Sequence, residues 1–419
     1  MTAEENTFRP DWRLRCIFGV IGLLNFAAAL DATSISVAIP RISEDLGGTA
    51  VEAFWSGTSF LVCSCVIYAR MLFGAVVAFT LSAILAAVSQ HFGLLLAGRC
   101  IQGIGGGGII ALTEVLIADL IPLHERGKWM SFRAVTWAFG TVLGPVVGGA
   151  LADNAWRWIF WISLPFCGLG LPSLDTPLLG GLRRLCPLCR VPIVAYESFI
   201  PRQPLIPIHI FRNPTTAINY LGCFLHGMVM WCVLYYLPLY YEACLTYSAV
   251  VAGVAMLPLT LMVAPLSAIT GIVIAKTGRY RWAIWMGWAL TTLGIGILYL
   301  LEAGTSIPKW IFVVIVSGLG LGTLFTSMML AVQASADVRF LSITATMAAF
   351  FRTLGQTVGV AIGGVVIQNR LGVQAERSSE RAGLEQAYAS SVGVVWLTIC
   401  GIAGVGFISG LFVHIYPMI

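Results

Sequence analysis

The sequence predicts an all-α membrane protein with about twelve spanning helices, and three observations predict it. Of its 419 residues, 58% are apolar and only 10% are charged, with a mean hydropathy of +0.89. Soluble domains carry roughly 25% charged residues. The apolar residues gather in twelve segments, most of them long enough to cross a hydrocarbon layer of roughly 30 Å. The Lys and Arg residues collect in alternate connections between those segments. A soluble enzyme, a disordered chain and a nucleic-acid-binding protein are excluded by this composition. Helices also satisfy within themselves the backbone hydrogen bonds that lipid cannot.

Residues 1–15 mix Glu4, Glu5 and Asp11 with Arg9, Arg13 and Arg15. The run 16–40 that follows is longer than the core of a cleavable signal, roughly 7–15 residues, and reads as a first helix that stays in place. Residues 52–90 are almost uniformly apolar, with Arg70 the only charge between Glu52 and Arg99. As one helix this stretch would run roughly 60 Å, twice the bilayer. We therefore divide it into 52–69 and 71–90, with a tight turn at Tyr68–Met71. Segments 93–118, 129–151 and 156–172 complete six spans. A proline-rich basic connector, 173–213, separates them from 214–241, 249–275, 282–301, 309–334, 340–367 and 389–415.

With the N-terminus inside, sixteen Lys and Arg residues fall on the inner side, six on the outer side, and Arg99 and Arg352 within spans. That inward bias is what the positive-inside rule expects. The expected organisation is a six-helix bundle over 1–172, a cytoplasmic connector over 173–213, and a second six-helix bundle over 214–419.

An internal repeat relates the two bundles. Gly140, Gly144, Gly148 and Gly149 recur as Gly355, Gly359, Gly363 and Gly364, an offset of 215. The same offset carries Gly103, Gly105 and Gly107 onto Gly318, Gly320 and Gly322. Two related six-helix halves in parallel arrangement are the signature of a major facilitator architecture. Glycines four apart also let helix backbones approach closely in any membrane protein.

Several motifs now resemble a known family. Leu30-Asp31-Ala32-Thr33 with Val37-Ala38-Ile39-Pro40 resembles the first-helix motif of the fourteen-span drug:proton antiporters of the major facilitator superfamily. Arg99-Cys100-Ile101-Gln102-Gly103-Ile104-Gly105 is similar to that family's fourth-helix arginine motif. Gly140, Gly144, Pro145, Gly148 and Gly149 match its fifth-helix antiporter motif. Trp156 to Ile162 and Pro204-Leu205-Ile206-Pro207 look like fungal members. The resemblance spans nearly the whole chain. It implies a proton-coupled exporter of drugs, toxins or secondary metabolites, working by alternating access. Two features depart from the family. The Gly-x-x-x-Asp-x-x-Gly-Arg-Lys loop between helices 2 and 3 is absent, with a weaker counterpart at Gly271–Arg281. The two extra central helices are absent too, replaced by the connector.

An ionisable residue inside a span is expensive and functional by default. Asp31 and Arg99 lie at matching depth, on helices 1 and 4, which line the cavity of the resembled fold. We expect them to face that cavity and to be close in one conformational state. A guanidinium nearby opposes protonation of a carboxyl and burial favours it, so a change of surroundings moves a proton. Their structural alternatives are a helix-end cap for Asp31 and a backbone hydrogen-bonder for Arg99. Glu114, further along helix 4, is a third proton-coupling candidate. Candidate substrate contacts are His226, Trp231, Tyr235 and Tyr236 on helix 7 and Arg352 on helix 11; aromatic rings bind flat organic molecules by stacking and area burial. The alternatives are packing for the histidine and interfacial anchoring for the tyrosines. By resemblance, the kinked glycine face of Gly140, Gly144, Pro145, Gly148 and Gly149 closes the cavity.

No cofactor and no metal site is expected. Gly103-x-Gly105-x2-Gly108 fits the dinucleotide fingerprint but lies inside an apolar helix, with no strand before it. The pair Cys186 and Cys189 has no companion pair or histidine cluster. The expected partners are a small-molecule substrate, protons and the lipid bilayer, with no nucleic acid, and the chain is expected to act as a monomer, not an enzyme. The plasma membrane is the expected location, with the vacuolar membrane second. Rival readings are an importer of a nutrient or siderophore, and a truncated paralogue without transport activity.

Overall fold

The computed structural model describes residues 12–64, 72–120, 123–174, 211, 213–302, 304–336, 341–375 and 381–414. The predicted turn at 68–71, nearly all of the connector, and Cys186 and Cys189 lie outside the described residues.

Each predicted span has its helix. The first half holds α1 (Trp12–Asp45), α2 (Ala50–Ser64), α3 (Leu72–Ala87), α4 (Phe92–Leu120), α5 (Leu123–Ala155), α6 (Trp158–Trp161) and α7 (Ser163–Leu174). The second holds α8 (Pro214–Ala243), α9 (Ala249–Ala255), α10 (Leu257–Thr277), α11 (Arg281–Leu298), α12 (Ile307–Ala334), α13 (Leu341–Ala375) and α14 (Arg381–Leu411). Two spans are divided: α6 and α7 break at Ile162 ahead of Pro165, and α9 and α10 break at Met256 ahead of Pro258. Proline has no N–H to bond back into the preceding turn, so each break falls where the ladder is already interrupted. Among the described residues, eight helical stretches, with α9 and α10 taken as one, are long and apolar enough to cross a bilayer. The remaining spans, α2, α3, α6 with α7, and α11, are shorter or more polar and are held in place by their neighbours.

Helix ends follow local chemistry. Asn213 Oδ1 accepts from the Thr215 backbone N–H at 3.0 Å while Pro214 occupies the first helical position, which starts α8. Gly278 closes α10 in the left-handed region, at φ +65°, where a side chain would be strained.

The internal repeat is visible in the packing. The most extensive pairings in the first half are α1 with α5, α3 with α4, and α2 with α4; in the second they are α8 with α13, α11 with α12, and α10 with α12. These are the same three pairings displaced by six spans. The repeated glycines sit in them. A Cβ at Gly144 or Gly148 would collide with Thr33 or Ser34 of α1, and one at Gly355 or Gly359 with Phe224 or Met228 of α8. Close backbone approach of this kind drives association in lipid, where no hydrophobic force acts between helices.

The halves meet along α5 with α9 and α10, along α13 with α2 and α4, and along α1 with α8. At one end of the first half, Trp156 Nε1 donates to Asp45 Oδ2 at 2.9 Å and Arg157 bonds both Asp45 Oδ2, at 3.2 Å, and the Ser89 carbonyl, at 3.0 Å. Arg157 thus ties the turn before α6 to the end of α1 and to the residue just past α3. Leu81, Leu293, Phe312 and Val405 stand outward, each more than half exposed, as side chains in contact with lipid do.

Candidate functional site

Asp31 and Arg99 form the only ion pair among the described residues in which both side chains are fully buried. Arg99 Nη1 donates to Asp31 Oδ2 at 2.6 Å, joining α1 to α4. Gln102, one turn along α4, closes a triangle: its Oε1 accepts from Arg99 Nη1 at 2.8 Å, and its Nε2 donates to Asp31 Oδ1 at 3.0 Å. Arg99 Nε donates to the Ser56 carbonyl of α2 at 3.1 Å. The guanidinium carbon lies 4.6 Å from the centre of the Phe60 ring and 5.8 Å from that of Phe160. Both rings place electron-rich faces on a desolvated cation. Four elements of the first half, α1, α2, α4 and α6, therefore converge on one charge pair, and the sequence placed two of its members. Gln102 was missed. The available signal was its spacing from Arg99, since residues three apart share a helix face.

The pair is near in space, as expected, but it does not stand in open water. Its aromatic and amide neighbours sheath it, leaving both side chains at 0% exposure. A second polar link between the same helices lies closer to Glu114: Asn25 Nδ2 donates to Thr113 Oγ1 at 2.9 Å. Glu114 follows on α4, and its side chain lies outside those described.

The helix 7 candidates sit together on α8, all buried. His226 bonds the Leu321 carbonyl of α12 through Nε2 at 3.1 Å. Arg352 on α13 donates to the Phe325 carbonyl at 3.0 Å, and its guanidinium lies 4.3 Å from the Phe325 ring centre. Tyr236 donates to the Val360 carbonyl, and Gly363 packs on its ring, which joins α8 to α13. Trp231 and Tyr235 lie one turn apart with ring centres at 5.7 Å.

A cavity with about 30 Å³ of room opens between the halves, walled by Trp137 and Thr141 of α5, Met230 and Leu234 of α8, Val263 of α10 and Phe325 of α12. That is space for a water or two, well short of a pocket for an organic molecule, roughly 300 Å³ or more. None of His226, Trp231, Tyr235, Tyr236 and Arg352 lines it. His226 and Arg352 instead hold the backbone of Leu321 and Phe325, which do.

The fifth-helix glycine motif presents two faces. Gly140, Gly144 and Gly148 lie against α1 within their own half. Gly149 lies against Ala249 and Val250, and the Pro145 carbonyl against Gly253, on α9 of the other half. A side chain on Gly149 or Gly253 would push the halves apart.

The Major Facilitator Superfamily model matches residues 21–364. The chain is 40% identical to "MFS transporter L2" of a Phoma species, over all of this chain and 85% of that protein. The aligned span is 507 positions against 419 residues here, so 88 positions have no residue of this chain opposite them. It is 32% identical to the "MFS-type efflux pump MMF1" of Pseudozyma antarctica, over 85% of this chain and 78% of that one. It is 30% identical to the "Efflux pump FUS6" of Gibberella moniliformis, over 90% and 78% of the two chains. In fold it is similar to a bacterial homologue of the human lysosomal transporter Spinster, in an inward-facing and occupied conformation, with a TM-score of 0.69 and 14% identity over 97% of each chain.

Proposed function

The chain belongs to the major facilitator superfamily, and on that premise we propose that it is a proton-coupled exporter of small, mostly apolar organic compounds. The observation that carries this is the fully buried Asp31–Arg99 pair, which ties helix 1 to helix 4 and has no solvent contact. A structural ion pair at such a site is a poor stabiliser, because the cost of removing two charges from water rivals their attraction. A pair that must open and close has a reason to be there.

In this reading a proton from the outer side joins Asp31, the carboxyl becomes neutral, and Arg99 is released. Two rigid bodies, residues 1–172 and 214–419 with the connector 173–213 between them, rock about the cavity walled by Trp137 and Phe325. The α5–α9 seam at Gly149 and Gly253 closes one end of the path. Relatives named as efflux pumps support outward transport. When the halves open, the substrate is bound by area burial against the cavity wall, backed by Trp231, His226 and Arg352, with Glu114 as a second proton site. We assign the protein to the plasma membrane, acting as a monomer.

The test is a growth-inhibition panel in a susceptible yeast with and without the chain. Protection against a set of apolar compounds, lost in Asp31→Asn, supports the reading. Equal growth with and without the chain across the panel removes it.

A second reading has its own observation. The alignment with the Phoma relative leaves 88 positions unmatched, and the resemblance to the fourteen-span antiporters implies that a helix 2–3 loop and two central helices are missing from this chain. A paralogue without transport activity would look like this. Restoring those segments from the Phoma relative distinguishes the two: export that appears only in the restored chain favours the paralogue.

A further inference from the structure

Two buried hydrogen-bonding groups beside the ion pair have no partner among the described residues: Arg99 Nη2 and the Tyr235 hydroxyl. They come from opposite halves of the protein. Tyr235 stands on α8 at 4% exposure, and its ring tip crosses to α2. A Cβ added at Gly57 would lie 2.5 Å from Tyr235 Cε1 and 2.7 Å from its hydroxyl, so the absence of a side chain there makes the crossing feasible. Gly57 follows Ser56, whose carbonyl takes Arg99 Nε. The phenol thus arrives next to the residue that holds the guanidinium. Its hydroxyl is within electrostatic reach of both Arg99 and Asp31. The Trp231 ring steadies it from one turn back.

A polar group buried without a partner is destabilising, and such orphans mark places with work to do. The ionisable groups around this one are Asp31 on α1, Arg99 on α4, Cys167 on α7, which interacts with Asp31, and Tyr236 on its own helix. Of these, the ion pair alone has a second arrangement to adopt, the one in which Asp31 is neutral.

We infer that Tyr235 is the residue through which the second half reads the protonation state of the first. When a proton joins Asp31, the Arg99–Asp31 bond breaks and the guanidinium keeps its charge. The Tyr235 oxygen then accepts from a released Arg99 N–H, and its O–H donates to the neutral carboxyl. Tyr235 keeps its own proton throughout. The new bonds cross from α8 to α1 and α4, so the proton-loaded form is fastened between the halves. Tyr235 is a positioning residue here and acts through Asp31. The inference rests on the proton-coupled reading above.

The experiment uses the purified full chain in proteoliposomes, with rhodamine 6G as probe and an imposed pH gradient. Tyr235→Phe removes the hydroxyl and keeps the ring. Its dye affinity is expected to stay within about twofold, while the pH giving half-maximal flux moves about one unit to acid, the loss of one hydrogen bond to a charged group. In an Asp31→Asn background, Tyr235→Phe is expected to change downhill flux by less than about twofold, because the two act as one unit. An unchanged pH profile in Tyr235→Phe, or weaker dye binding with the profile intact, overturns the inference and leaves proton coupling standing. A wild-type chain whose dye flux ignores the pH gradient overturns both.

Discussion

Asp31 and Arg99, 68 residues apart in sequence, meet at 2.6 Å with no solvent contact on either side chain. Each is the only counter-charge the other has among the described ion pairs. Removing one partner leaves a lone charge in a dry site, which costs about 3–5 kcal/mol, whereas removing both is close to neutral. Arg99→Gln is therefore expected to lower the unfolding temperature in detergent, and Asp31→Asn with Arg99→Gln to recover most of the loss. A double variant less stable than the single one would show that the pair is not coupled as its geometry implies.

Gln102 holds both members of the pair. Gln102→Leu leaves Asp31 Oδ1 without its amide donor, at a cost of about 1–3 kcal/mol. Thermal unfolding in detergent measures this, and an unchanged midpoint would remove Gln102 from the site.

The two faces of the glycine motif predict two phenotypes. Gly144→Val forces α5 off α1 within one half, so little folded protein is expected on size-exclusion chromatography. Gly149→Val acts at the seam between halves, against Ala249 and Val250. That variant is expected to be folded and monodisperse but to lose dye export. The same outcome for both would refute the division.

Trp137 is the largest side chain on the cavity wall. Trp137→Ala removes a stacking face worth about 0.5–1.5 kcal/mol beyond its area. Binding of rhodamine 6G, followed by fluorescence anisotropy, is expected to weaken about tenfold with no change in the pH profile of flux. Unchanged affinity would place the dye elsewhere.

The spans were legible because lipid imposes a length and excludes charge, so each crossing announces itself as an apolar run between polar ends. Helix limits were less so. α5 begins at Leu123, six residues before its apolar run at 129, because the polar His124 and the charged Glu125, Arg126 and Lys128 are helical as well, and an apolar run marks only part of such a helix. The pair was legible for the same reason as the spans: Asp31 and Arg99 are conspicuous against apolar neighbours. The cavity wall was not. Met230, Leu234, Val263 and Phe325 are apolar residues among apolar residues, and which of them face the cavity depends on helix rotation, fixed only by tertiary packing. Tyr235 and Tyr236 are adjacent in sequence, yet one reaches α2 and the other bonds Val360 of α13. No local pattern separates them.

Whether Asp31 carries the proton is tested most directly by comparing driven and passive flux in one preparation. Proteoliposomes holding Asp31→Asn are loaded with rhodamine 6G, and transport is followed with and without an imposed pH gradient. The account predicts that the variant equilibrates the dye down its own gradient but no longer concentrates it when the pH gradient is applied. Uphill accumulation by Asp31→Asn at the wild-type level, with the wild-type dependence on pH, would contradict it.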